Sequence, residues 1–110
     1  HDRHLAFVSH LSHASSFMLG QTVLQKMQDD KNIFDMAGSG FASTVRLAKS
    51  SPAMWAPIFI ENKENVLAAL DGFIANLTDF RNKIAADDTQ GLFDEMKEIN
   101  KIRDILDLGK

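Results

Sequence analysis

No Asp, Glu, Lys or Arg occurs between His4 and Gln25. A stretch this long without charge either crosses a membrane or is enclosed by protein. His4, His10, His13, Ser9, Ser12, Ser15, Ser16, Gln21 and Gln25 are too many polar groups for hydrocarbon, so a membrane span is excluded. The apolar residues recur at helical spacing, which predicts a helix from about His1 to about Asp29, ended by the polar run Asp29-Asp30-Lys31-Asn32. Projected at about 100° per residue, His1, Asp2, Leu5, Ser9, Ser12, His13 and Ser16 share one sector that is neutral beyond Asp2, with Phe7, Val8, Leu11, Ala14 and Met18 outside it. A helix whose polar side carries His and Ser instead of Lys and Glu is normally covered all round. A chain of 110 residues can hardly wrap such a helix alone. The expected cover is a second subunit, another part of a longer chain, or both, with the His/Ser sector lining a polar cleft.

The rest of the chain is helical in pattern. No Asn-Gly or Asp-Gly hairpin turn occurs, and Val, Ile and Thr are scattered, so an all-α domain is expected. Gly38-Ser39-Gly40 precedes a short helix from about Phe41 to about Lys49. Ser51 is placed to cap a helix with Pro52 at its first position, and Pro57 predicts a kink or break near Trp55–Ile58. Phe59, Val66, Leu70, Phe73, Ile74, Leu77, Phe80 and Ile84 then sustain the stripe of a long amphipathic helix. After Asp87-Asp88-Thr89 a last long helix carries Leu92, Met96, Ile99, Ile102 and Leu106 on one side, with Gly109 past its end.

The net charge of −3 offers no general attraction for nucleic acid or anionic lipid, and the absence of Cys excludes thiolate chemistry and fits a cytoplasmic setting. His10 and His13, one helical turn apart, could share a metal ion, and His1-Asp2 invites a metal-hydrolase reading. A third ligand in register is missing, so no metal is expected. Gly38-Ser39-Gly40 lacks the lysine and preceding strand of a phosphate-binding loop and reads as a hinge. Arg46 lies in an apolar helical segment, either at the surface or as a fork for a carboxylate. Trp55 reads as a core residue, and Asn62 and Asn65 as solvent-facing or capping residues.

Taken together, His1-Asp2, Ser9-His10-Leu11-Ser12-His13, Gly40-Phe41, Arg46-Leu47-Ala48, Pro52-Ala53-Met54-Trp55 and Glu61-Asn62-Lys63 resemble the C-terminal half of prephenate dehydrogenases. The resemblance implies that residues 1–110 form the helical C-terminal domain of an NAD-dependent enzyme. Such an enzyme oxidatively decarboxylates prephenate to 4-hydroxyphenylpyruvate on the route to tyrosine. It implies an interlocked homodimer, with NAD and the catalytic base histidine held by a Rossmann domain outside this sequence. No cofactor-binding or catalytic residue is therefore expected here, and the sequence alone is expected to be inactive. By the same resemblance Arg46 clamps a substrate carboxylate, and His1, Ser9 and His13 line the cleft. Ser12 stands where the family usually has Pro, Ser43 where it has an acidic residue, and Val45 where it has Thr. These departures leave arogenate open as substrate and feedback by tyrosine undecided. The rival reading from another class is a non-catalytic helical dimerisation or ligand-sensing module.

Overall fold

The computed structural model describes residues 1–27, 29, 32–33 and 38–108, and among them there is no strand. Helix α1 (Asp2–Leu5) continues through a π turn (Ala6–His10) into α2 (Leu11–Met27). Next come α3 (Ser39–Thr44), a 3-10 turn (Arg46–Lys49), α4 (Pro52–Glu61), α5 (Lys63–Ala85), α6 (Thr89–Ile99) and α7 (Lys101–Leu108). The expected all-α class is observed. Asp30 and Lys31, read as ending the first helix, and Gly109, read as lying past the last, lie outside the described residues. Among the described residues no helix is long and apolar enough to cross a membrane.

The chain divides into two compact units, His1–Leu70 and Asp71–Lys110, with the division inside α5. In the first unit Ala6, Val66 and Ala69 are buried, and Leu11, Phe59 and Leu70 pack against them. A core of one Val and two Ala is small, because burial stabilises roughly in proportion to the apolar area removed from water. One polar contact and one close approach of backbones add to it. Buried Ser16 donates from Oγ to the Thr44 carbonyl at 2.7 Å, and Gly20 lets α2 approach the 3-10 turn, an ideal Cβ there lying 3.6 Å from that of Ala48.

Several boundaries differ from those the pattern predicts. The helix expected over 41–49 is divided: α3 ends at Thr44 and Arg46–Lys49 forms a tighter 3-10 turn. Ser51 caps α4 as expected, accepting from the Met54 N–H at 3.3 Å, with Pro52 at the first position. Pro57, however, does not break α4, which runs on to Glu61. The proline removes one hydrogen bond, to the carbonyl of Ala53; both residues are exposed, so water can take that carbonyl. The interruption comes instead at Asn62, whose backbone (φ −108, ψ 32) separates α4 from α5. The last helix is likewise two helices, with Asn100 between them.

In the second unit α5 ends in a double reversal of hydrogen bonding. Asp88 N–H reaches back to the Lys83 carbonyl at 2.9 Å and Asp87 N–H to that of Ile84 at 3.1 Å, with Asp87 at φ 56. That position normally belongs to glycine, since a Cβ is penalised in the left-handed region. Asp87→Gly is therefore expected to stabilise the chain by about 0.5–1 kcal/mol. The comparison is the midpoint of chemical denaturation at unchanged slope, and a lower midpoint would show that the Asp87 side chain is needed. Asp88 then caps α6, accepting from Gly91 N–H at 2.9 Å.

Lys83 ties α5 to α6. Its Nζ lies 2.7 Å from Asp79 Oδ2 and 3.2 Å from Glu95 Oε2, a buried oxygen with no aligned hydrogen bond of its own. The hydrogen bond to Asp79, and then Glu95, hold the Lys83 ammonium above the ordinary lysine value of 10.5. A raised value in the folded state means that the contribution is complete below 10.5 and is lost as pH climbs through the folded value. The melting difference between the parent and Lys83→Met should accordingly hold constant from neutral pH to about 10.5 and close above it. A difference that instead closed on acidification toward neutrality would contradict this bridge.

Candidate functional site

The π turn decides which polar groups of the first helix can act together. At about 4.4 residues per turn it lags an α-helix by roughly 18° per residue, so residues before Ala6 are rotated by roughly a quarter-turn against those after His10. His1 and Asp2 therefore leave the sector they share with His13 and Ser16 in an ideal projection. His1 is exposed, with its Nδ1 3.9 Å from exposed Asp2, a contact of little energetic consequence. Most hydroxyls of the first helix are occupied locally. Ser15 donates to the Ser12 carbonyl at 3.0 Å, Ser12 more loosely to that of Val8 at 3.4 Å, and Thr22 to that of Met18 at 2.7 Å. The half-buried Ser9 hydroxyl has no hydrogen-bond partner among the described residues.

Ser9 and His13 are brought together: His13 Nδ1 lies 3.0 Å from the Ser9 carbonyl. The His13 ring stacks on Trp55, with centroids 3.5 Å apart and planes inclined by 17°. His10, only 8% exposed, meets Trp55 edge-on at 5.9 Å, and Phe59 tilts against it at 5.6 Å. Trp55 thus links α4 to both histidines. A stack of this kind fixes the imidazole plane at little entropic cost.

Asn62 completes the constellation. Its Nδ2 donates to the Asp2 carbonyl at 2.8 Å and contacts His10 Nδ1 at 3.2 Å, while its Oδ1 accepts from Asn65 Nδ2 at 2.8 Å. Both asparagines are half-buried. The capping reading of Asn62 accounts for its backbone; its side chain spans to the first helix, a role no local pattern reveals. The core reading of Trp55 likewise gives way to a half-buried ring stacked on a polar partner.

Arg46 opens the 3-10 turn, is exposed, and has no ion pair among the described residues. Its fork is free to meet an anion. Among the described residues no three His, Cys, Asp or Glu side chains are grouped to hold a metal ion. Beside the polar cluster, on the first unit, an apolar groove of about 610 Å³ is lined by Phe17, Met18, Trp55, Phe59, Ile60 and Leu67 among others. Ile60 is 70% and Leu67 50% exposed.

Large apolar side chains left uncovered on each unit, and a polar aromatic cluster on the first, define a helical association domain. A profile of the prephenate dehydrogenase dimerization domain matches residues 1–98, and the chain belongs to that family. It is 35% identical over 104 residues to a cyclohexadienyl dehydrogenase of Zymomonas mobilis, covering 94% of this chain and 36% of that protein. It is 29% identical over 112 residues to a prephenate dehydrogenase of Bacillus subtilis, covering 98% of this chain and 29% of that protein. The crystal structure of a prephenate dehydrogenase from A. aeolicus in complex with hydroxyphenyl propionate and NAD+ superposes with a TM-score of 0.86. That match has 37% identity and covers 96% of this chain and 37% of that one. The chain spans about a third of the length of the relatives it matches.

Proposed function

We propose that this chain is the dimerisation and substrate-cleft part of an NAD-dependent prephenate dehydrogenase of tyrosine biosynthesis, working as a cytoplasmic homodimer. The observation that carries the dimer is exposure. Phe7, Val8 and Met18 on the first helix, Ile60 and Leu67 on the groove, and Phe93, Ile102 and Leu106 further on are all more than half or about half exposed in the single chain. Patches of this size are retained when a second polypeptide covers them.

Prephenate carries two carboxylates and a ring hydroxyl. In its oxidation a hydride leaves the hydroxyl-bearing carbon for the dinucleotide, and the ring carboxylate departs as carbon dioxide, its bonding electrons completing the aromatic ring. A Rossmann cradle for a dinucleotide is built from strands and a glycine-rich strand-to-helix turn, and the described residues form helices. We therefore assign NAD and the base histidine to residues outside this sequence, and to this chain the anchoring of substrate. To that anchoring we assign Arg46, free to clamp a carboxylate, with the Ser9 hydroxyl, the His13 imidazole and the exposed His1 as polar groups for the cleft wall.

The test has two arms. Sedimentation of this chain at micromolar concentration should give a stable dimer; a stable monomer sinks the dimer. The chain alone should produce no NADH from prephenate, whereas the full-length protein should. Turnover by the chain alone would place the cofactor site within it, against the assignment.

A further inference from the structure

We propose that Asn62 is a positioning residue that holds His10 and, through the shared Trp55 contact, sets it beside His13 in the opposite tautomer. One imidazole then carries its proton on Nε2 and the other on Nδ1. The chemistry of the partners assigns both. The Asp2 carbonyl can only accept, so the amide nitrogen of Asn62 must face it, at 2.8 Å; flipping the amide would set Oδ1 against that carbonyl and remove the acceptor used by Asn65 Nδ2. The same nitrogen lies 3.2 Å from His10 Nδ1, and since an amide NH₂ can only donate, that ring nitrogen accepts. His10 therefore carries its proton on Nε2.

His13 is the reverse. Its Nδ1 faces the Ser9 carbonyl at 3.0 Å, and a carbonyl can only accept, so Nδ1 holds a proton, and in the neutral ring Nε2 keeps a lone pair. The two rings contact the same indole, His10 edge-on and His13 face-on. The pair thus holds one donor and one acceptor nitrogen about one helical turn apart, the donor on a ring that is only 8% exposed. Asn62 can impose this because it stands at the α4–α5 joint, where the helix is interrupted and the side chain can turn back toward the π turn.

The readout is the tautomer itself, taken from two-bond proton–nitrogen correlation spectra of the full chain labelled with ¹⁵N-histidine, with His10 assigned by its loss in His10→Gln. The parent should show His10 protonated on Nε2 and His13 on Nδ1. His10 on Nδ1 in the parent overturns the inference without any variant. Asn62→Asp offers only acceptors and should move the His10 proton to Nδ1, whereas Asn62→Gln, which keeps a donor, should retain Nε2 in part. A tautomer unmoved by Asn62→Asp also overturns it.

The effect on turnover rests on the proposed function. In the full-length enzyme Asn62→Asp should raise KM for prephenate about fivefold to tenfold, with partial rescue by Asn62→Gln. Should Arg46→Ala weaken prephenate use while Asn62→Asp, its tautomer inverted, leaves KM unchanged, the positioning role is overturned. Unchanged kinetics in both variants, with the tautomers as assigned, overturns the substrate reading instead and leaves the tautomer assignment supported.

Discussion

Arg46→Ala in the full-length enzyme is expected to raise KM for prephenate about tenfold to more than a hundredfold, the loss of roughly 1.5–3 kcal/mol from a charge-assisted contact. The expectation rests on the proposed function and on an exposed guanidinium that opens a short 3-10 turn with no ion pair among the described residues. Lysine keeps the charge and loses the fork, so Arg46→Lys should rescue only in part. If the same contact also orients the carboxylate that departs, kcat falls with kcat/KM; if it only anchors, kcat stays. NAD affinity and dimerisation are the controls, and both should be unaffected. Unchanged prephenate kinetics in the alanine variant would reduce Arg46 to a surface residue.

The second large effect concerns association. Leu67 is half exposed in the single chain, where replacing it by Asp should change stability by less than about 0.5 kcal/mol if the groove faces water. If a second copy covers the groove, Leu67→Asp buries a carboxylate against Phe59, Ile60 and their neighbours, with Lys63 one helical turn away. That costs about 3 kcal/mol or more and should raise the dimer dissociation constant by over a hundredfold. Sedimentation equilibrium at a series of concentrations measures it, with far-ultraviolet circular dichroism reporting whether the helices survive separation. An unaltered dissociation constant would remove this groove from the interface.

Part of this architecture is written in local pattern. The 3–4 apolar spacing and Ser51 before Pro52 act within one or two helical turns, and both are found where the pattern puts them. The uncharged first helix also announces itself as unfit for water on its own, and its exposed Phe7, Val8 and Met18 agree. Recognition of Ser9 with His13 is legible for the same reason, since four residues return to one face of a helix.

What only the tertiary structure decided are the features that depend on distant partners. The π turn rotates His1 away from His13, and a fixed period cannot register it. Pro57 stays inside α4 because the carbonyl it frees is on an exposed residue, a matter of surroundings more than of sequence. The stack of Trp55 on His13 and the reach of Asn62 to Asp2 and His10 join residues far apart in the chain. Side-chain periodicity specifies which face of a helix is apolar, but not which other helix meets it. That is set by the packing of whole helices, where one interrupted residue at Asn62 turns a surface amide into the link between them.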